Sequence, residues 1–210
     1  MTDSSNPGVA LAEEWDQRYT TWADQVPDSA PNEVLIGHAG ALDAGAALDI
    51  GCGMGADAVW LATAGWTVTA LDVSQVALDH AAARASRAGV RVDWVCTRLE
   101  DFSLPPTGFD LVTAHYPALR SSPGRDAERA LLATVAPGGT LLVVHHADVE
   151  VERAKAHGFD PADYVLHDDI VAVLGEDWDV TVEKRRARDV PAGLDGQHTH
   201  DDVVRARRLR

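Results

Sequence analysis

The segment AALDIGCGMGADA, residues 46–58, constrains the fold more tightly than anything else in the chain. A short apolar strand, Ala47–Ile50, runs directly into Gly51-Cys52-Gly53-Met54-Gly55, and a helical pattern begins at Ala56. A strand-to-helix turn this tight needs glycine, and glycine also lets the backbone approach a ligand at a helix N-terminus. Nineteen residues after Gly53, Asp72 closes the next strand in TVTALDVS. A carboxylate at that point can accept both hydroxyls of an adenosine ribose. Together the two features predict a βαβ unit built for a nucleoside cofactor. They do not choose the cofactor, because Gly51, Gly53 and Ala56 also satisfy the Gly-x-Gly-x-x-Gly/Ala pattern of NAD sites.

The rest of the chain extends this alternation. Leu11, Trp15, Tyr19 and Trp22 fall on one face of a helix predicted from Val9 to about Gln25, which VPDSAP then breaks. A second helix is expected over Asn32–Leu42. Strands follow at Ala47–Ile50, Trp66–Leu71, Val90–Val95, Phe109–Ala114 and Thr140–His145. Helices at Ala56–Ala64, Gln75–Ala88 and Arg125–Val135 separate them, Ser74 capping the second and Gly89 ending it. A short helix at Asp168–Leu174 precedes strands at Trp178–Arg186 and Thr199–Arg207. The turn VPAGLDGQ joins these last two strands with no helix between, which predicts an antiparallel hairpin. The expected organisation is one domain, 1–210, with a tail at 1–8, a helical cap at 9–43 and a cofactor-binding core at 44–210.

Charge narrows the function. The chain has 18 basic and 33 acidic residues, a net charge of −15, which argues against nucleic acid as a partner. Only Lys155 and Lys184 are lysines. Neither follows a glycine, so there is no phosphate-binding P-loop, and neither follows a tyrosine by four residues, as short-chain dehydrogenases require. Cys52 and Cys96 make neither a disulfide framework nor a zinc motif. The polar start MTDSSNPG and the lack of a long apolar run predict a cytoplasmic protein without a membrane partner.

Asp49 discriminates between cofactors. NAD-binding strands are apolar at that point, whereas a carboxylate two residues before the glycines can attract the ammonium of a cationic ligand. Asp49-x-Gly51-x-Gly53-x-Gly55, with Asp72 closing the second strand, resembles the signature of the class I S-adenosylmethionine-dependent methyltransferases. The resemblance covers about residues 9–208. Trp15-Asp16-x-Arg18-Tyr19, Trp22 and Pro31-Asn32 further resemble the small-molecule subgroup near the tellurite-resistance and thiopurine methyltransferases. It implies an α/β, Rossmann-like, doubly wound sheet of seven strands in the order 3-2-1-4-5-7-6, strand 7 antiparallel, with helices on both faces. It also implies S-adenosylmethionine as cofactor. Gly51, Cys52 and Gly53 then lie against its methionine part with Asp49 beneath. Asp72 holds the ribose, Val73 packs on the adenine, and Tyr19 and Trp22 close over the cofactor. The family has an Asp at the end of the third strand for the adenine amino group, where this chain has Arg98. Arg cannot accept a hydrogen bond, so the expected substitute is Glu100 or Asp101, or the backbone around Leu99.

Ligands of open α/β sheets bind outside the carboxyl ends of the strands. Strand four delivers His115 and Tyr116 to that edge, and strand five delivers His145 and His146. In the family's strand order His198 and His200 join them. These side chains are polar rim residues, or one of them, His145 or His146, is a general base or orienting group for a hydroxyl acceptor, or they are metal ligands; the spacing matches no zinc motif, and no metal is expected. Tyr116 is either a pocket wall or a catalytic group, and His115 can also touch the cofactor. The expected activity is in-line methyl transfer to oxygen, sulfur or another heteroatom of a small molecule, by a monomer or homodimer. An NAD(P)-binding oxidoreductase and a non-catalytic S-adenosylmethionine-binding protein are the alternatives.

Overall fold

The structure, a computed structural model, describes residues 7–22, 29–156, 158–188 and 198–210. The end of the first helix near Gln25, the start of VPDSAP and the turn VPAGLDGQ lie outside the described residues, as does the expected tail except for Pro7 and Gly8. The seven strands are ordered β3-β2-β1-β4-β5-β7-β6, as expected. The chain divides into two compact units, Met1–Pro105 and Pro106–Arg210.

In the first unit, α1 spans Pro7–Trp22 and α2 spans Glu33–Ala39. Asn32 caps α2 by accepting from the Val34 N–H. The alternation then runs β1 (Ala46–Ile50), α3 (Ala56–Thr63), β2 (Thr67–Asp72), α4 (Gln75–Ala88) and β3 (Asp93–Cys96). β2 pairs in parallel with both β1 and β3, with Asp49 opposite Ala70 and Asp72 opposite Cys96. Leu35, Leu48, Ile50, Leu61 and Leu71 are fully buried and form the core. Ser74 and Gly89 cap α4 as the sequence predicts. β3 starts three residues later than expected because the chain beyond Gly89 first closes the helix: the Gly89 and Val90 N–H groups donate to Ser86 and Ala85.

In the second unit β4 (Phe109–His115) runs parallel to β5 (Val135–His146), and α5 (Asp126–Ala133) precedes β5. After α6 (Val151–Ala156) and α7 (His167–Val173), β6 (Trp178–Ala187) and β7 (His200–Arg208) form an antiparallel pair, with β7 also antiparallel to β5. Pro137-Gly138-Gly139, whose composition alone predicts a turn before the strand, is an irregularity inside β5. The register jumps from Phe109–Val135 to Leu111–Thr140, and Gly138 takes φ +82°. A Cβ on Gly139 would meet the Phe109 carbonyl at 2.7 Å, so glycine is required there. β5 is buried on both sides from Thr140 to His145, which explains its near-continuous apolar sequence. α6 buries none of its side chains, so no periodic apolar signal announced it. Among the described residues no helix is long and apolar enough to cross a membrane.

Candidate functional site

The glycine loop and its acidic surroundings lie in the first unit. Gly51, Gly53 and Gly55 all have positive φ, at 67°, 51° and 76°. Gly55 is further pinned by packing, since a Cβ there would meet Ala81 Cβ at 2.7 Å and the Trp94 ring at 2.8 Å. The Cys52 N–H donates to the Leu71 carbonyl, tying the loop to β2. Asp49 reaches the base of this loop at 2% exposure, and among the described residues its Oδ2 has no hydrogen-bond partner. Burial, followed by the neighbouring Asp57 and Asp72 carboxylates, pushes the Asp49 carboxyl well above its ordinary range, against the Ala58 N–H. A buried carboxylate oxygen without a donor is costly by itself and is suited to a cationic group.

Asp72 is used twice by the backbone. Its Oδ2 accepts from the Gly53 N–H at 2.8 Å and its Oδ1 from the Ser74 N–H at 2.9 Å. Burial raises this carboxyl, and the N–H groups of Ser74, Gly53 and Val73 oppose the rise. A carboxylate has about four acceptor positions, so the backbone donors leave acceptor capacity for a ligand hydroxyl. Val73 follows it, half-buried. Leu99 is buried at the start of a 3-10 turn, Leu99–Asp101. Glu100 pairs with Arg98 at 2.8 Å.

α1 brings Tyr19 over the loop: a Cβ built on Gly53 would meet the Tyr19 hydroxyl at 2.8 Å. Burial, then Asp72 and Cys52, raise the phenol further above its already high value, so it remains a donor. Trp15, Tyr19 and Trp22 form an aromatic cluster with ring centroids 5.9 to 6.4 Å apart. Trp22 is 41% exposed and has unburied ring surface to offer a ligand. Asp16 and Asp57 went unrecognised in the sequence as contributors. Asp57 Oδ1 accepts from the Asn32 N–H at 2.7 Å, and Asp16 Oδ1 accepts from the Ser74 hydroxyl at 2.6 Å. Both partners are remote in sequence, so no local pattern could have identified them.

The second unit holds the strand-end histidines His115, His145, His146, His198 and His200. The rings of Tyr116, His146 and His198 stack in series, with centroids 3.9 and 4.1 Å apart. Asp201, 2% exposed, organises this stack. Its Oδ2 accepts from the Tyr116 hydroxyl at 2.8 Å and lies 3.4 Å from Arg188 Nε, while its Oδ1 lies 3.4 Å from His146 Nδ1. The Arg188 guanidinium also covers the Tyr116 ring at 5.3 Å. Burial, then His146 and Arg188, push the His198 imidazole below its ordinary value. Tyr116 adopts φ +52°, an uncommon conformation for a non-glycine residue, and its N–H donates to the Val144 carbonyl.

The other histidines do not join the stack. His145 alternates to the opposite face of β5, where Nε2 donates to the Val165 carbonyl at 3.1 Å and Nδ1 is buried without a partner among the described residues. Burial, then His167, lower its pKa to about 4. The His115 ring lies 3.2 Å from the Thr113 hydroxyl, and the His200 ring 3.0 Å from that of Thr199. The expected five-histidine rim therefore reduces to His146 and His198 with Tyr116. The organising residues Asp201 and Arg188 went unrecognised because strand pairing alone brings them to His146. Among the described residues no group of three or more His, Cys, Asp or Glu side chains could hold a metal ion.

Residues 47–139 match a family described as "Methyltransferase domain". The chain is 30% identical over 151 residues to a protein of Bordetella bronchiseptica named ubiquinone biosynthesis O-methyltransferase, a match covering 66% of this chain and 63% of that one. The chain thus spans less than two thirds of that relative's length. A solved structure described as "Conversion of a Disulfide Bond into a Thioacetal Group during Echinomycin Biosynthesis" is similar at 25% identity with TM-score 0.69, covering 94% of this chain and 92% of that one. Magnesium protoporphyrin IX methyltransferase from Synechocystis PCC 6803, solved with bound SAH, shares the fold at 17% identity with TM-score 0.67, covering 96% of this chain and 99% of that one.

Proposed function

Taking residues 47–139 as a methyltransferase domain, the family they match, we propose that the protein is an S-adenosylmethionine-dependent methyltransferase acting on a small molecule. The observation that carries this reading is the buried, unpartnered Asp49 Oδ2 at the foot of a glycine loop that Asp72 clamps. NAD places its anionic pyrophosphate at such a loop, not a cation for that carboxylate. A sulfonium nucleoside carrying an ammonium does, and it supplies an activated methyl group.

The residue roles follow from this. Asp49 answers the ammonium, directly or through water, and the backbone of Gly51, Cys52 and Gly53 accommodates the methionine part. Asp72 keeps its two backbone donors and uses its remaining acceptor positions for the ribose. Val73, Leu99 and Glu100 flank the adenine. Tyr19 and Trp22 close the site and exclude water, and aromatic faces favour a cation.

For the acceptor we assign the proton-accepting role to His146, with Tyr116 and His115 as orienting groups. Asp201 Oδ1 and Arg188 Nη1 both face His146 Nδ1, at 3.4 and 3.3 Å, and in the tautomer whose Nδ1–H donates to Asp201 the ring leaves Nε2 for an acceptor hydroxyl. His145 is set aside, because its Nε2 is engaged by Val165 and its other ring nitrogen is buried. The acceptor atom is oxygen, sulfur or another heteroatom. Oxygen is tested first, because the Bordetella relative is named an O-methyltransferase. The likeness of Trp15-Asp16-x-Arg18-Tyr19 to the tellurite-resistance and thiopurine subgroup supports a small-molecule acceptor. Isothermal titration with S-adenosylhomocysteine and with NAD tests the cofactor. Binding of NAD alone would refute the reading. Turnover of a panel of phenols, thiols and carboxylates separates an enzyme from a non-catalytic binder.

A further inference from the structure

Two contacts fasten α1 across the first unit, and they are linked. Asp16 Oδ1 accepts from the Ser74 hydroxyl at 2.6 Å and from the Val76 N–H at 3.2 Å, at the N-terminus of α4. The first is short, as expected where a hydroxyl donates to an ionised carboxylate. Ser74 is fully buried, and its Oγ also accepts from the Ala77 N–H. Its N–H donates to Asp72 Oδ1, and Asp72 Oδ2 accepts from the Gly53 N–H. Three residues further along α1, Tyr19 lies against Gly53. The path Asp16–Ser74–Asp72–Gly53 therefore leaves α1, crosses the carboxylate assigned to the ribose, and meets α1 again at Tyr19.

A carboxylate at a helix N-terminus is ordinarily explained as local stabilisation. Here it lies on a different helix, 58 residues from the serine it binds, and its neighbour along α1 covers the cofactor loop. We propose that Asp16 is a positioning residue for the cofactor: it holds α1 over the glycine loop and fixes the Ser74–Asp72 geometry beneath it. Cofactor exchange then requires release of the Asp16–Ser74 contact. This rests on the S-adenosylmethionine reading above and adds the element that governs retention of the cofactor.

The full chain is tested with S-adenosylhomocysteine as probe, by isothermal titration and by stopped-flow tryptophan fluorescence, Trp15 and Trp22 being on α1. Asp16→Ala removes charge-assisted bonds and is expected to weaken binding about tenfold or more, mainly through faster dissociation. Asp16→Asn retains an oxygen that can accept both bonds and is expected to stay within about threefold of wild type. Asp16→Glu keeps the charge but is one methylene too long, so it should lose in the same direction as Asp16→Ala even if that variant folds poorly. Wild-type affinity and dissociation in Asp16→Ala and Asp16→Glu would overturn the proposal, as would an Asp16→Asn protein as weak as Asp16→Ala. If the wild type itself binds no S-adenosylhomocysteine, the cofactor reading and the role of Asp16 fall together. If the wild type binds and the variants bind equally well, only the role of Asp16 falls.

Discussion

Acidification is expected to destabilise the protein through His145, and the manner in which its ring is held sets the size of the effect. The ring is 8% exposed and donates from Nε2 to the Val165 carbonyl, so the neutral tautomer leaves Nδ1 as a bare lone pair. Protonation would place a charged N–H where no hydrogen-bond partner is found, beside His167. Burial and that neighbour lower the pKa from 6.5 to about 4. The unfolded chain therefore binds this proton at higher pH than the folded chain does. His145 contributes its full stability above pH 6.5, and that stability is lost as pH falls toward 4. The shift corresponds to ~3 kcal/mol, a large part of the stability of an ordinary domain. Asp49 and Asp72 act in the opposite sense: their raised pKa values favour the fold at low pH and less as pH rises. The total curve mixes these effects, so the informative quantity is a difference. Urea unfolding of wild type and His145→Gln between pH 7 and pH 4 isolates it, since glutamine can donate to Val165 but does not titrate. Whatever the offset at pH 7, the wild type should lose ~3 kcal/mol relative to the variant by pH 4. Parallel curves across that range would refute the argument.

Three further outcomes are expected. Asp49→Asn removes a buried carboxylate with an orphaned oxygen, so the ligand-free melting temperature should hold or rise, while S-adenosylhomocysteine affinity falls about tenfold or more; calorimetry of both forms checks this. Gly55→Ala forces a left-handed residue against Ala81 and Trp94 and should destabilise by about 2–4 kcal/mol in urea unfolding, whereas Gly37→Ala, where a Cβ would meet nothing within 4 Å, should not. His146→Ala, assayed at saturating cofactor with an oxygen acceptor, should lower kcat by about 10²- to 10⁴-fold; unchanged turnover would return His146 to a structural role beside Asp201.

Local chemistry made much of this protein legible in one dimension. Gly51, Gly53 and Gly55 must be glycine because their φ values are positive, and that requirement shows directly in the sequence. Ser74 and Gly89 cap α4 for equally local reasons. The Asp72 spacing follows from the length of one βα unit, which is enough to place the strand that carries it. Where a local signal was ambiguous, tertiary pairing overrode it. Pro137-Gly138-Gly139 reads as a turn, yet β4 on one side and the glycines' freedom on the other hold it inside β5.

The polar partnerships were not legible. Asp16 with Ser74, Asp57 with Asn32, and Asp201 with Tyr116 and His146 join residues 25 to 85 positions apart. One carboxylate looks like another in a chain carrying 33 of them. The histidines show the same division. Their clustering at strand ends could be read from sequence, but the face each takes could not be read without the register of β5. Register sends His146 to the stack with Tyr116 and His198, and sends His145 into the interior, where it is neutral. Sequence alone determined the glycine loop and its acidic partners Asp49 and Asp72, because these depend on backbone conformation and short spacings, whereas the strand order was implied by the family that the motif resembles. Only the tertiary structure decided which carboxylates are clamped, which is orphaned and which histidine faces solvent, because burial and long-range pairing set the energy of a charge.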